Sequence, residues 1–314
     1  MRIGVDLGGT KIEAVALGSG GEMLARRRVP TPSENYAGTV AAVVGLVRAV
    51  EGGQASRGSV GVGIPGAESP TTGLIKNANS TWLIGRPLRE DLSKALDRPV
   101  RLANDADCFA LSEATDGAAA GMGTVFGVIL GTGVGGGLVV DGRLVAGPNA
   151  IAGEWGHNPL PSAAQHPGGA AEDAIERPGP HCYCGRQGCI ETFLSGPGLT
   201  LDFRTHTGRT VTATEIALLA DGGDPEADAC MVRYEERLAR ALATIVNVLD
   251  PHVIVLGGGM SNVQRLYQNV PRLWGRFVFS DAVVTRLVPP RHGDSSGVRG
   301  AAWLWPASSE ALRG

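Results

Sequence analysis

At 314 residues, 43% of them hydrophobic and 19% charged, the chain has room for one large or two modest domains with a substantial core. A formal net charge of −3 leaves no basic footprint for nucleic acid, and no apolar stretch approaches the about 20 residues that a bilayer span requires. The first residues read as a strand rather than a secretory leader, so the expectation is a soluble cytoplasmic protein with neither nucleic-acid nor membrane partners. Scarce aromatics (5%) and 47 glycines suit α/β architecture with many tight strand–loop turns.

The chain begins with an apolar run, Ile3 to Val5, followed by Asp6-Leu7-Gly8-Gly9-Thr10-Lys11 and a second apolar run, Ile12 to Leu17. This pattern predicts a β-hairpin. Glycines at its tip let backbone N–H groups approach an anion closely. Asp6 is placed to hold a cation or water beside that anion, while Thr10 adds a hydroxyl and Lys11 a positive charge. The stretch is not a Walker loop, because no G-x-x-x-x-G-K-[ST] occurs. A phosphate-cradling hairpin and an ordinary Gly-rich hairpin are both consistent with these residues alone. The run Arg26-Arg27-Arg28 reads as a solvated strand edge.

Further on, Val100 to Ala103 reads as a strand entering Asn104-Asp105, and Ala106 to Ala120 as the helix that follows. A carboxylate at a helix N-terminus is electrostatically favoured. In phosphoryl transfer such a group orients an acceptor hydroxyl and takes its proton, although a plain N-cap gives the same pattern. Asp107 competes for the role. Asp105 is preferred because the Asn-Asp pair offers a polyol both hydrogen bonding and basicity.

The opening pattern then returns. Gly127-Val128-Ile129-Leu130-Gly131-Thr132-Gly133 aligns with Gly4 to Thr10, with turns at Ser19-Gly20-Gly21 in one copy and Asp141-Gly142 in the other. A duplicated hairpin module is expected. A third cluster, Gly257-Gly258-Gly259, follows the strand Val253 to Leu256, a strand-end position where open α/β sheets bind ligands. Helices are expected over Glu226 to Leu249 and from near Ser261-Asn262.

Three of the five cysteines fall in Cys182-Tyr183-Cys184-Gly185-Arg186-Gln187-Gly188-Cys189. Without secretion signals, this C-x-C-x4-C spacing favours a metal over disulfides. Zinc takes four N/S ligands. His181 is adjacent to Cys182 and would be cramped; His157, 25 residues upstream of Cys182, is favoured as the fourth. Three thiols without a metal are the alternative. Cys108 and Cys230 read as core residues.

Four of these motifs together resemble the ROK family of sugar kinases and related repressors. Asp6 to Lys11 matches its first phosphate motif, and Leu130 to Gly137 its second. Glu154-Trp155-Gly156-His157 is similar to the sugar-binding E-x-G-H motif, and Cys182 to Glu191 resembles the C-x-C-G-x-x-G-C-x-E zinc motif. Lys76 to Leu83 and Trp155 to Pro161 look closest to the bacterial fructokinases that also accept mannose, the manno(fructo)kinases.

The resemblance implies an α/β, two-lobed actin-like ATPase (ribonuclease-H-like) fold with a duplicated βββαβα core. The implied lobes are a small one over residues 1–118, completed by a C-terminal helix over 295–314, and a large one over 119–294. It implies Mg-ATP and a hexose (fructose, and mannose as well) as ligands, a structural zinc ion, and a homodimer. Asp105 would be the base for the 6-hydroxyl. Gly66, Asn79, Asn104, Asp105, Glu154, His157 and Glu191 would bind the sugar. Asp6, Gly8, Gly9, Thr10, Lys11, Thr132, Gly133, Gly257 and Gly258 would bind ATP, with Asp6 also holding magnesium through water. His157, Cys182, Cys184 and Cys189 would hold zinc, fixing the loop of Glu191. Residues 162–180 read as an insertion, a lid or dimer contact or a surface loop. N-acetylglucosamine kinase or glucokinase activity is the main alternative; Trp82 and Trp155 argue against a bulky 2-acetamido group. A sugar-responsive repressor is disfavoured because no helix-turn-helix precedes the first strand, and a non-catalytic sugar binder because the phosphate motifs and Asp105 are intact.

Overall fold

A computed structural model describes residues 1–52, 57–163, 174 and 176–306. The chain divides into two compact units. Unit 1 comprises residues 1–122, 137–153 and 291–314; unit 2 comprises 123–136 and 154–290. Residues 137–153 therefore belong with the first unit, where the boundaries expected from sequence put them in the second.

Unit 1 is built on β1 (Arg2–Leu7), β2 (Lys11–Leu17), β3 (Met23–Pro30), β4 (Ser59–Ile64) and β7 (Val100–Asn104). Their order is β3-β2-β1-β4-β7. β1 and β2 run antiparallel with Leu7 opposite Ile12, and β4 and β7 add in parallel. The short strands β5 (Ala67–Glu68) and β6 (Ile75–Lys76) pair beside this sheet. The apolar faces of β1, β2 and β4 are wholly buried against α1 (Tyr36–Glu51) and α2 (Leu88–Leu96), with Val43, Val47, Leu88 and Leu92 fully enclosed.

The other face of the sheet carries α3 (Asp105–Thr115) and the returning helix α9 (Ser296–Trp303). α3 stops five residues short of the predicted Ala120, because the backbone N–H groups of Ala118 and Ala119 turn back onto Glu113, on its side chain and carbonyl respectively. α9 fits only because glycines clear its path. A Cβ at Gly4 would lie 1.9 Å from the Val298 carbonyl oxygen, and one at Gly300 1.6 Å from that of Cys108. The expected helix over 295–314 is observed over 296–303, and residues 307–314 lie outside the described residues.

The Arg26–Arg28 run does more than face solvent. β3 is an edge strand, but Arg26 and Arg28 turn onto one side and both pair with Glu13, which is buried at 3% exposure. Alternation along a strand explains this: residues two apart share a face.

The second sheet repeats the first. β8 (Thr124–Leu130), β9 (Val134–Val140), β10 (Arg143–Leu144), β11 (Val253–Gly257) and β12 (Arg286–Val288) lie in the order β10-β9-β8-β11-β12. The division between the units falls inside β9. The β9–β10 turn uses Asp141 and Gly142, both at positive φ, as a tight hairpin turn requires. Numbered by appearance, both sheets read 3-2-1-4-5, the duplicated ribonuclease-H-like core of an actin-like ATPase.

Unit 2 adds α4 (Ile190–Leu194), α5 (Gly196–Thr207), α6 (Ala213–Asp221), α7 (Pro225–Leu249) and α8 (Arg265–Leu273). α7 matches the predicted helix to within one residue, and its face from Cys230 to Val246 is buried. Cys108 and Cys230 are both fully buried, as expected. No helix among the described residues is long and apolar enough to cross a membrane.

Candidate functional site

In unit 1 the predicted groups gather at the carboxyl ends of β1, β4 and β7. Asn104 caps α3 by accepting a hydrogen bond from the Ala106 N–H at 2.8 Å, and its amide donates to the Gly66 carbonyl at 3.1 Å. Asp105 occupies the first helical position and is exposed, and its Oδ1 also accepts from the Ala106 N–H at 2.8 Å. The helix N-terminus thus stabilises the carboxylate without enclosing it. Gly66 has φ +145°, and a Cβ there would lie 2.7 Å from the Lys76 carbonyl, so the segments at 64–67 and 76–78 are packed backbone to backbone. Exposed Asn79 follows directly.

The first hairpin tip is closed by the Gly8 N–H donating to the Lys11 carbonyl at 3.1 Å, and is braced by Thr31, whose hydroxyl donates to the Gly8 carbonyl at 2.7 Å. Gly9, Thr10 and Lys11 are exposed. Asp6, at the end of β1, has its pKa pushed up to about 6 by burial first, then by the negative charges of Asp105 and Glu13. Lys11 and Arg28 offset this only in part. A carboxyl so placed is one whose ionised form a nearby cation would stabilise.

In unit 2, the second hairpin and the third glycine cluster converge. The Gly131 N–H donates to the Gly133 carbonyl at 3.0 Å, and the Gly196 N–H to the Gly131 carbonyl at 2.8 Å. Gly258, at φ +76°, passes so close to β8 that a Cβ would lie 2.5 Å from the Leu130 carbonyl oxygen. Thr132 and Gly258 are exposed, whereas Gly257 is buried as the last residue of β11.

The segment around His157 is held against the cysteine loop by backbone bonds. Pro159 bridges Cys189; the Leu160 N–H donates to Gly188 and the Ile190 N–H to Asn158, each at 2.9 Å. That pairing closes the 25-residue gap. His157, Cys182, Cys184 and Cys189 bring their ligand atoms within 4.8 Å of one another. His181 instead turns to Gln187, whose amide lies 3.0 Å from its ring.

The Cys184–Cys189 sulfurs are 3.6 Å apart, as are Cys182 Sγ and His157 Nδ1. The edge of a tetrahedron with Zn–S bonds of about 2.3 Å is about 3.8 Å, so this donor set fits a four-coordinate zinc ion. The loop turns on Gly185 and Gly188, at φ +88° and +68°. The Cys184 thiol is lowered to about 6: burial opposes ionisation, but the Arg186 N–H and the neighbouring thiols outweigh it. The thiols of Cys182 and Cys189 are raised, primarily by burial.

Glu191 follows on α4, and its Oε2 accepts from the Val134 N–H at 2.9 Å. It therefore joins the cysteine loop to the second hairpin. Trp155 is 3% exposed, donates to the Gly135 carbonyl at 3.0 Å and packs edge-on against Phe126. In unit 1, Trp82 is half-buried and donates to the Thr39 hydroxyl at 3.2 Å. Both indoles are engaged with their own cores, which removes the expected steric argument against a 2-acetamido group.

The ends of the 162–180 insertion are fastened to α7. Glu176, 6% exposed, accepts from Arg237 at 2.8 Å and from Arg240 at 2.8 and 2.9 Å, and Arg240 also donates to the Pro161 carbonyl. The expected lid or dimer contact over 164–173 and 175 lies outside the described residues.

Sequence reasoning passed over Tyr183. Its hydroxyl is 3.1 Å from His157 Nε2, and the two rings meet edge to face at 5.2 Å. The phenol is raised to about 12, by partial desolvation first and then by the negative charges of Glu191 and Glu154. The only signal in the sequence was an aromatic residue between two clustered cysteines.

The family model described as "ROK family" matches residues 2–308. An N-acetyl-D-glucosamine kinase of Photobacterium profundum is 42% identical over 304 residues, covering 97% of this chain and 99% of that one. Its counterpart in Yersinia pseudotuberculosis is 41% identical over 306 residues, covering 97% and 98%. Among solved structures, the ROK hexokinase of Thermus thermophilus superposes with a TM-score of 0.83 at 32% identity, covering 96% of each chain. A ROK-family glucokinase of Streptomyces griseus, in complex with glucose and AMPPNP, gives 0.76 at 26% identity, covering 96% of this chain and 98% of that one. The chain belongs to the ROK family, and within it is an ATP-dependent sugar kinase. The fructokinase or manno(fructo)kinase subgroup expected from local motifs is not the one these relatives carry.

Proposed function

We propose that the chain transfers the γ-phosphoryl group of Mg-ATP to the 6-hydroxyl of a hexose, with N-acetyl-D-glucosamine as the first acceptor. The observation that carries the reaction is Asp105: an exposed carboxylate at a helix N-terminus, beside the capping residue Asn104 and near Asp6, whose raised pKa reflects the charge of Asp105 after burial. Asp105 accepts the proton of the acceptor hydroxyl as its oxygen attacks the γ-phosphorus and ADP departs. Gly8, Gly9, Thr10 and Lys11 offer N–H groups, a hydroxyl and a positive charge to phosphates; Thr132 and Gly133 do the same from the second hairpin, and Gly257 and Gly258 belong to the nucleotide. Magnesium supplies charge neutralisation on the phosphates, with Asp6 its holder through water.

Asn104, Gly66, Asn79, Glu154, His157 and Glu191 serve the sugar, each polar group matching a hydroxyl that both donates and accepts. Zinc, held by His157, Cys182, Cys184 and Cys189, supplies rigidity rather than chemistry, since all four positions are protein-filled. His157 would join this donor set through Nδ1, which lies 3.6 Å from Cys182 Sγ, leaving Nε2 for another partner.

The acceptor rests on the relatives at 41–42% identity, which align along almost the whole chain. Fructose with mannose is the second reading, supported by the Lys76 to Leu83 and Trp155 to Pro161 segments. An ADP-release assay with N-acetylglucosamine, fructose, mannose and glucose in parallel tests both. Preference for N-acetylglucosamine is expected; preference for fructose or mannose keeps the mechanism and replaces the acceptor, and no turnover with any sugar overturns the kinase reading.

A further inference from the structure

The His157 ring has one nitrogen on each side of a divide. Nδ1 faces Cys182 Sγ at 3.6 Å within the four-donor cluster, and Nε2 faces the Tyr183 hydroxyl at 3.1 Å. With a metal held at Nδ1, the ring proton would sit on Nε2, and that N–H would be the ring's one donor. Resting on the hexose reading, a sugar hydroxyl that accepts from His157 must take the hydrogen bond that Tyr183 now holds.

We propose that Tyr183 is a displaceable stand-in for the sugar: its hydroxyl fills the acceptor position on His157 in the sugar-free protein and swings away when a hexose binds. Three observations support displacement rather than a fixed role. Tyr183 is 73% exposed, so its ring is not packed into a core. Among the described residues, its side-chain hydrogen bond and its ring contact are both to the same imidazole. It stands on the Cys182–Gly185 turn, where a side-chain rotation needs no backbone change, since the Gly185 N–H to Cys182 carbonyl bond at 3.0 Å and the Cys182 N–H to Arg186 carbonyl bond at 2.8 Å fix the turn independently. The consequence is a common penalty: every sugar that takes this position on His157 must first displace the phenol, so all such affinities fall by one factor.

Tyr183→Phe keeps the ring and removes the competing oxygen. Calorimetric titration of wild type and variant with N-acetylglucosamine, fructose, mannose and glucose, without nucleotide, is the test, alongside zinc content by elemental analysis. The variant is expected to bind each hexose that contacts His157 about three- to fivefold more tightly, to leave the gap between preferred and poor sugars unchanged, and to keep its zinc and its kcat. Tyr183→Ala is expected to do the same, which guards against an effect peculiar to phenylalanine. Equal or weaker sugar binding by both variants overturns the proposal, the latter by making the phenol a sugar contact. Loss of zinc from Tyr183→Phe overturns it by making the phenol a support of the cluster. If the wild type binds none of the four sugars, the hexose reading fails and this inference fails with it; binding by the wild type with no gain in the variants fails this inference alone.

Discussion

The two sheets share one strand order but carry different loads. In the first, a single helix, α1, joins the third strand to the fourth, and all three antiparallel strands are long, with β3 reaching eight residues. In the second, the third strand shrinks to the two residues of β10, and the cysteine loop and helices α4 to α7 fill the interval before β11. The hairpins differ in the same way. Where the first has Asp6, the aligned position in the second is Ile129. The first hairpin thus presents a half-buried carboxyl, and the second an apolar strand end whose neighbour, Val134, anchors Glu191. Duplication kept the scaffold, while the first copy carries the carboxyl of Asp6 and the second anchors the carboxylate of Glu191 through the Val134 N–H.

If unit 1 holds the reacting base, removing Asp105 should produce the largest effect of any single change. Asp105→Ala is expected to lower kcat by about 10³-fold, within the 10² to 10⁴ that a positioned base contributes, while hexose binding measured by calorimetry stays within about threefold. Normal turnover would remove Asp105 from the role and shift it to another carboxylate. Unit 2 is probed by Cys184→Ser. That variant is expected to lose zinc and, where free zinc stands a thousandfold above its Kd in the wild type, to lose about 4 kcal/mol of stability. Sugar binding should weaken with it, because His157 and Glu191 both hang on that loop. Full zinc content in the variant would sink the ligand assignment.

The half-buried Asp6 gives the first hairpin a pH signature that the second lacks. Its pKa in the folded protein, about 6, lies above the ordinary 3.8, so folding takes up a proton between those values. Its contribution is most favourable below pH about 4, declines as pH rises through 6, and levels off above. A gap of about 2 units corresponds to at most about 3 kcal/mol. Asp6→Asn should abolish that decline and be more stable than wild type at pH 7.5 in urea denaturation, while losing magnesium-dependent turnover. A variant less stable at pH 7.5 would contradict the electrostatic account.

How much of this was legible in sequence follows from the range of the interactions. The hairpins, the strand entering Asn104-Asp105 and the helix over 225–249 are local patterns of alternation, turn residues and apolar periodicity, and they read directly. Gathering His157 with Cys182 needed a ligand count, since spacing alone left His181 open. The pairing of Arg26 and Arg28 with Glu13 depends on which face of an edge strand is enclosed, and no local signal reports that. The membership of residues 137–153 in unit 1 depends on β9 leaving the second sheet's unit midway. The same limit hid Tyr183, whose position on His157 exists only once the loop has folded.

The smallest expected effect separates the hairpins most cleanly. A Cβ at Gly133 would lie 2.7 Å from Glu191 Oε2, whereas one at Gly9 meets nothing nearer than the Ser80 hydroxyl at 3.8 Å. Neither glycine is at positive φ, so alanine is conformationally tolerated at both. Gly133→Ala must push the Glu191 carboxylate off the Val134 N–H, at a cost of about 1 kcal/mol for the lost hydrogen bond. Its hexose KM should rise about fivefold with the thermal midpoint nearly unchanged, and, since Gly133 also belongs to the phosphate cradle, its KM for ATP should rise as well. Gly9→Ala leaves the sugar carboxylates untouched, so its penalty should fall on the KM for ATP alone. Steady-state kinetics with each substrate varied in turn would show the two patterns. A Gly133→Ala variant whose hexose KM stayed at the wild-type value would show that Glu191 does not need its place on the second hairpin to hold the sugar.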